Sequence, residues 1–196
     1  MKIICEKHKL INSINIVLKA ISSKTTMPIL ECLIIEVSSD TIKLIANDLE
    51  IGIETILEGN IIETGTIALN AKMFFDIIRK LSDSDITIES DENYKTTILS
   101  DKAKFTIYGL SGDDFPYLPD IEKKEPLTLS QFSLKEIIRQ TVFSISDSDN
   151  SKIMSGLLFE INDNKLKVVS LDGHRISIRN LELKSNYSSI KVIVPG

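Results

Sequence analysis

Tryptophan is absent from this 196-residue chain, cysteine and histidine occur only twice each, and there are eight glycines and five prolines. Such sparse Gly and Pro exclude a collagen-like or low-complexity chain, and 42% apolar with 26% charged residues excludes wholesale disorder. Cys5 and Cys32 stand far apart, with no second Cys or His at zinc-ligand spacing, which leaves neither a disulfide framework nor a structural zinc site. A reducing interior fits that usage. An excess of positive charge is also missing: 23 basic side chains face 28 acidic ones, a net charge of -5. The chain therefore cannot hold nucleic acid by bulk attraction, although a local basic face remains open. No apolar run approaches the roughly 20 residues that span a bilayer, and the start, Met1 to Lys7, meets charge before a signal core could form. A cytoplasmic protein without membrane association is expected, long enough for one large domain or two small ones.

What is present reads as short elements. Lys7 to Ala20 carries Leu10, Ile14, Val17 and Leu18 at helical spacing. Strands follow at Leu33 to Val37, Ile42 to Ala46 and Ile51 to Ile56, separated by Ser/Asp/Asn turn signals. A strand at Gly65 to Leu69 leads into a helix at Lys72 to Leu81, and a meander is expected at Ile86 to Glu89, Thr96 to Leu99 and Lys104 to Tyr108. The proline-bearing stretch Ser111 to Asp120 and the charge cluster Glu122 to Pro126 place a boundary near residues 118 to 127. The reading is a first domain at 1–120, a linker at 121–127 and a second domain at 128–196.

The chain also repeats itself. A shift of 124 residues lays Leu33-Ile34-Ile35-Glu36-Val37 on Leu157-Leu158-Phe159-Glu160-Ile161, and Ile42-Lys43-Leu44-Ile45 on Leu166-Lys167-Val168-Val169. The same shift pairs Asp48 with Asp172, and puts Leu10 and Ile14 on Leu134 and Ile138 of a helix expected at Ser133 to Ile145. Two copies of one fold are the economical explanation. Lys191 to Gly196 fall on Ile67 to Lys72, so the second copy is expected to be incomplete, with exposed apolar surface. Either the chain is a fragment, or a partner or repacking covers the gap.

Catalytic signatures are weak. His8 and His174 lack second ligands at a recognised spacing, and no GxxxxGK[ST], GxGxxG or GxSxG occurs. Asp147-Ser148-Asp149-Asn150-Ser151 imitates the start of a calcium loop, yet Lys152 replaces the turn glycine and Leu158 the bidentate Glu. Asp172-Gly173-His174-Arg175 can be read as an acid/base pair with an anion-binding Arg, or as a hairpin turn with exposed polar residues. Charge is more informative. The three expected helices, the first counted from Glu6, carry eight basic side chains (Lys7, Lys9, Lys19, Lys72, Arg79, Lys80, Lys135, Arg139) against three acids (Glu6, Asp76, Glu136), leaving 15 basic against 25 acidic elsewhere. Positive charge segregated onto helices suits a phosphate backbone, and it equally suits ordinary solvated helix faces.

Six motifs in order, Met27-Pro28-Ile29-Leu30, Asn47-Asp48-Leu49-Glu50, Ala71 to Arg79, Asp114-Phe115-Pro116-Tyr117-Leu118-Pro119, Gly156-Leu157-Leu158-Phe159-Glu160 and Asp172-Gly173-His174-Arg175, span the whole chain. Together they resemble the bacterial DNA polymerase III beta subunit, the replication sliding clamp. The resemblance implies an α+β DNA clamp fold of repeated domains, each with antiparallel sheets outside and two helices inside. It implies a non-catalytic processivity factor, without cofactor or metal. Two full-length subunits would close as a homodimer ring around double-stranded DNA, held topologically and without sequence preference. Partners would be the DNA polymerase III catalytic subunit, the clamp loader and other proteins carrying a clamp-binding motif.

Residue by residue, the resemblance carries DNA contact to Lys24, Ser148, Lys152 and Ile153, with Lys72 and Arg79 added from helix position. It makes Met154, Leu171, Gly173, His174, Arg175 and Ile176 one wall of a partner-peptide groove. Leu171 departs from the small or hydroxylated residue usual there, which alters pocket depth. Lys102, Lys104, Phe105 and Ile107 match a subunit-pairing edge, where plain sheet core is the competing assignment of Phe105 and Ile107. Two further readings compete with the clamp: a shortened clamp-like module that binds partners without encircling DNA, and a hydrolase using Asp172 and His174.

Overall fold

Alternating β-branched and polar residues, interrupted by Asp, Asn and Ser, favour many short antiparallel strands, and these dominate the computed structural model. It describes residues 1–21, 25–117, 126–146 and 153–196. The chain divides into two compact units, Met1–Pro119 and Asp120–Gly196.

In the first unit the strands are β1 (Lys2–Glu6), β2 (Cys32–Val37), β3 (Ile42–Asn47), β4 (Gly52–Leu57), β5 (Asn60–Glu63), β6 (Gly65–Asn70), β7 (Asp85–Ser90), β8 (Lys95–Ser100) and β9 (Ala103–Tyr108). They form two antiparallel sheets, ordered β5-β1-β7-β8-β9 and β4-β3-β2-β6. The helices are α1 (Lys7–Val17) and α2 (Ala71–Lys80), which pack against each other. Leu10, Ile14 and Val17 of α1 and Phe74 and Ile78 of α2 share one core with Leu33, Ile35 and Val37 of β2 and with Ile86 and Ile88 of β7. Helices and both sheets thus bury one face each in a single core. The other side of β2 is different: Cys32 and Ile34 join Ile29, Leu30, Ala68 and Phe115 in a separate apolar cluster.

Local chemistry explains the helix limits. The Asn70 side chain accepts from the Met73 N–H (3.0 Å) and caps α2, whose last turn carries Arg79 and Lys80. Two strands escape the sequence pattern. β1 runs directly into α1 without a side-chain cap at Glu6, and β5 is only four residues long.

The second unit contains α3 (Gln131–Arg139), β10 (Gly156–Leu171) and β11 (Ile176–Pro195). The expected helix at Ser133 to Ile145 is corrected to this shorter one. Ser130 caps it by accepting from the Ser133 N–H, and the Thr141 hydroxyl donates to the Ile137 carbonyl at its end, which favours termination and a following 3-10 turn at Val142–Ser144. β10 cannot be straight. The Ser146 N–H donates to the Met154 carbonyl and the Ser170 hydroxyl to the Thr141 carbonyl. Residues 141 and 146 lie at most about 18 Å apart, whereas a straight strand from 154 to 170 would span about 50 Å. The fold-back falls at the register irregularity between Ile161 and Lys165, where Asp163 has φ 51. The two repeated segments therefore occupy the two ends of β10.

The repeat extends to strand register. The six β3–β4 partners, from Ile42↔Leu57 to Asn47↔Gly52, become Leu166↔Leu181 to Leu171↔Ile176 on adding 124 to each number. Along β11 one residue is inserted, so that Ile34↔Ala68 corresponds to Leu158↔Ile193. Leu157, Phe159 and Ile161 pack with Ile137, as their counterparts Leu33, Ile35 and Val37 pack with the helices. Coverage differs between the copies: Leu10 is fully buried, whereas its counterpart Leu134 is 37% exposed, and Val192 and Val194 are exposed as well.

Candidate peptide groove, DNA face and subunit edge

Sequence locality builds the candidate groove at one end of the second unit. Leu171 closes β10, Ile176 opens β11, and they face each other as cross-strand partners, with Val169 opposite Ile178 two residues back. Alternation along a strand puts Leu171, Val169, Ile176 and Ile178 on one face. That face is turned away from the core, which takes Val168 and Leu166. Leu158 and Ile193 share its side of the sheet, opposite the buried Leu157 and Phe159. Leu171, Ile176, Ile178 and Ile193 are all exposed, an apolar surface of the kind that receives another chain.

Between Leu171 and Ile176 runs a tight turn. The Asp172 carboxylate accepts from the His174 and Arg175 N–H groups, 3.0 Å each, and from the Arg175 guanidinium at 2.6 Å. The His174 N–H foremost, then the Arg175 side chain and N–H, hold the Asp172 carboxyl below its ordinary value of 3.8. Gly173 takes φ 89, which favours glycine. This settles the two readings of Asp172-Gly173-His174-Arg175 in favour of the hairpin turn. The carboxylate is fully engaged by its own turn, and the His174 imidazole has no hydrogen-bond partner among the described residues, so the geometry provides no acid/base pair. Among the described residues no group of three or more His, Cys, Asp or Glu is placed to hold a metal ion.

The groove residues expected from sequence are thus found as follows. Leu171, Gly173, His174, Arg175 and Ile176 form one continuous hairpin end, and Met154 lies half-buried in the turn before β10. Val169, Ile178, Leu158 and Ile193 were missed. Their signal was available in the repeat, since the shift that pairs Asp48 with Asp172 also fixes which strand residues share a face.

Of the expected DNA contacts, Lys24, Ser148 and Lys152 lie outside the described residues. Ile153 is 72% exposed. Arg79 is bonded to Asp76 (3.4 Å) and lies over the Phe75 ring at 5.7 Å, while Lys72 lines a shallow depression with Met73, Asp76, Ile77, Lys80 and Phe105. The helical charge surplus is partly neutralised. Lys7 reaches Asp83 and the Leu81 carbonyl, Lys9 reaches Glu58 and Glu6, and Arg139 chelates Glu136. Among the described residues Lys19, Lys72, Lys80 and Lys135 have no ion pair.

The candidate subunit edge divides. β9 is the last strand of its sheet and, among the described residues, leaves one row of backbone donors and acceptors without a strand partner, with Lys102, Lys104 and Phe105 exposed along it. Ile107, by contrast, is only 8% exposed and belongs to the main core. Two residues apart on one strand, Phe105 and Ile107 share the core-facing side of the sheet, where Ile107 is covered and Phe105 stays partly exposed beside α2.

Comparison with known proteins agrees over the whole chain. Residues 1–119 match the family described as DNA polymerase III beta subunit, N-terminal domain, and residues 128–196 match its central domain. The Beta sliding clamp of Bacillus subtilis is 36% identical over 205 residues, covering 100% of this chain and 54% of that protein. A structure from Eubacterium rectale, assigned as a DNA polymerase III beta subunit, superposes with a TM-score of 0.96 at 60% identity, covering 100% of this chain and 53% of that one. A Pseudomonas aeruginosa sliding clamp bound to griselimycin superposes with a TM-score of 0.85 at 27% identity, again covering 100% and 53%. The chain spans about half the length of the curated relatives it matches. With family matches over both units and one hairpin repeated in register within the chain, it belongs to the DNA polymerase III beta subunit family.

Proposed function

We propose that this chain works as part of a sliding clamp, a non-catalytic processivity factor that encircles duplex DNA and tethers the replicative polymerase. The observation that carries this reading is the hairpin repeated in register 124 residues on, joined to the family match over both units. A ring assembled from repeated domains needs no tight grip on phosphate, which suits an acidic chain whose helices carry a few lysines without an ion pair among the described residues. Tethering acts by raising a partner's effective concentration at the template, and requires no chemistry of the tether.

Within this reading the chain supplies a first domain at 1–120, a linker at 121–127 and a second domain from 128. DNA contact falls to Lys24, Lys72, Arg79, Ser148, Lys152 and Ile153. The partner groove is the apolar hairpin end around Leu171 and Ile176, with Met154 beside it and Arg175 at the rim, a surface that fits a short peptide with hydrophobic side chains. A clamp relative bound to griselimycin supports a ligand-accepting surface in the family. Subunit pairing uses the β9 edge, through Phe105 and Ile107 with Lys102 and Lys104, in a homodimer of full-length chains. The site of action is the cytoplasm.

The test uses the full-length protein. Loaded onto closed circular DNA, it should co-migrate with the circle and be lost when the circle is cut. Release that does not depend on linearisation overturns encirclement. Association with clamp-binding peptides but never with circular DNA would favour the partner-binding module instead.

A further inference from the structure

In the first unit, the face equivalent to the candidate groove is not open. Ile34, the counterpart of Leu158, is fully buried, and Ala68, the counterpart of the exposed Ile193, is buried too. They are covered by Phe115, 3% exposed, which packs with Ile29, Leu30 and Cys32. Phe115 arrives on a short strap. The Ser111 hydroxyl accepts from the Asp113 N–H at the start of a 3-10 turn (Gly112–Asp114), and Pro116 follows Phe115, its carbonyl accepting from the Asn47 side-chain amide. Tyr117 then meets the Phe115 ring edge-on at 5.4 Å between centroids.

Asn47 stands in strand register where Leu171 stands in the second unit, immediately before the repeated Asp turn. Asp48 accepts from the Glu50 and Ile51 N–H groups as Asp172 does from His174 and Arg175, and Leu49 takes φ 75 where Gly173 takes φ 89. The two hairpin ends are therefore the same device, one covered by the chain's own aromatic strap and the other uncovered.

We propose that the first unit carries a counterpart of the partner groove, kept closed by its own Phe115-Pro116-Tyr117 strap, and that displacing the strap turns it into a second acceptor site for an aromatic-bearing peptide. This rests on reading the second hairpin end as a groove. An aromatic side chain followed by a proline is what the site holds, so a peptide of that chemistry is its ligand. In the intact chain such peptides find only the second unit open.

Two natural reporters test this in the whole chain. Cys32 lies beneath the strap, whereas Cys5 lies in the main core, and both are buried. His174 is one of only two histidines, so its ring protons report on the second hairpin end alone. The probe is the synthetic peptide Ser-Gly-Asp-Asp-Phe-Pro-Tyr. In Phe115→Ala, iodoacetamide should label Cys32 about tenfold faster or more with Cys5 unchanged, and the probe should restore the slow rate. A probe with Ala in place of Phe should not. If Cys5 accelerates equally, the unit has opened as a whole, and Asn47→Asp decides, because it keeps an acceptor for the Leu49 N–H and loses only the donor to Pro116. A Cys32 rate unchanged in Asn47→Asp, or raised but not slowed by the probe, overturns the proposal. A shift of His174 by the probe without protection of Cys32 also overturns it, while leaving the second-unit groove standing. Protection of Cys32 without a His174 shift sustains the first-unit site and counts against the groove reading.

Discussion

Backbone conformation separates two otherwise matched residues. Leu49 and Gly173 both occupy left-handed φ at the same point of the repeated turn, and only the second is a glycine. A Cβ at Gly173 would meet nothing within 4 Å, so the cost of Gly173→Ala is conformational, about 1 kcal/mol. Leu49→Gly should shift stability by a similar amount the other way, less the entropy of freeing that residue in the unfolded chain. Chemical denaturation of the two variants checks the opposite signs. The cysteines give a second residue-scale test. Burial pushes the Cys5 thiol up to about 12 and Cys32 to about 11, so neither forms thiolate near neutrality. Both should resist alkylation in the native protein and react only on unfolding.

Acid sensitivity also belongs to single side chains. Glu58 beside Lys9, Asp83 beside Lys7, Glu136 beside Arg139, Glu160 beside Lys191 and Asp172 in its turn are all held below their ordinary values of 4.5 or 3.8. Each is bound better as the anion in the folded state. Its contribution is complete above the unfolded value and disappears as pH falls through the lower folded one. Stability should therefore hold down to about pH 5 and decline modestly below about pH 4, because exposed pairs contribute little each, as thermal melts across that range would show.

For elements, the deciding quantity is how much of a periodic pattern each one displays. α2 announces itself through Phe74, Ile78 and a capping Asn70, and its limits are met within a residue of the expected Lys72 to Leu81. Phe74 is completely buried, and Phe74→Ala should cost about 3–5 kcal/mol, read as a fall in the denaturation midpoint of the first unit. β1 and β5 were illegible for a physical reason: five and four residues display too few alternations, and each is held by partners distant in sequence, β1 by β5 and β7. α3 was overextended because apolar spacing continues through Ile145, although Thr141 ends the helix by bonding back to its carbonyls. The hairpin end was legible as Asp172 to Ile176, yet its apolar floor at Val169, Ile178 and Ile193 needed strand register, which no single segment encodes. Ile107 shows the converse limit, since alternation puts it on the same face as Phe105 and does not say which of the two is covered.

At the scale of the molecule, assembly should depend on β9. Its outer row of backbone groups, without a strand partner among the described residues, and exposed Phe105 make an edge flanked by Lys102 and Lys104. Phe105→Asp in the full-length protein should shift sedimentation from dimer to monomer, whereas the fold of the first unit persists because Phe105 is 40% exposed already. Reversing charge at Lys72 and Arg79 should weaken retention on circular DNA at raised salt without altering subunit pairing. The repeated hairpin has one more consequence. Its two ends share backbone, register and the central Asp, and differ at five side chains: Asn47 against Leu171, Leu49 against Gly173, Glu50 against His174, Ile51 against Arg175 and Gly52 against Ile176. A binder that tells one end from the other reads that short alphabet, the strand residues beside it, where Ile178 stands in place of Glu54, and whatever covers each end.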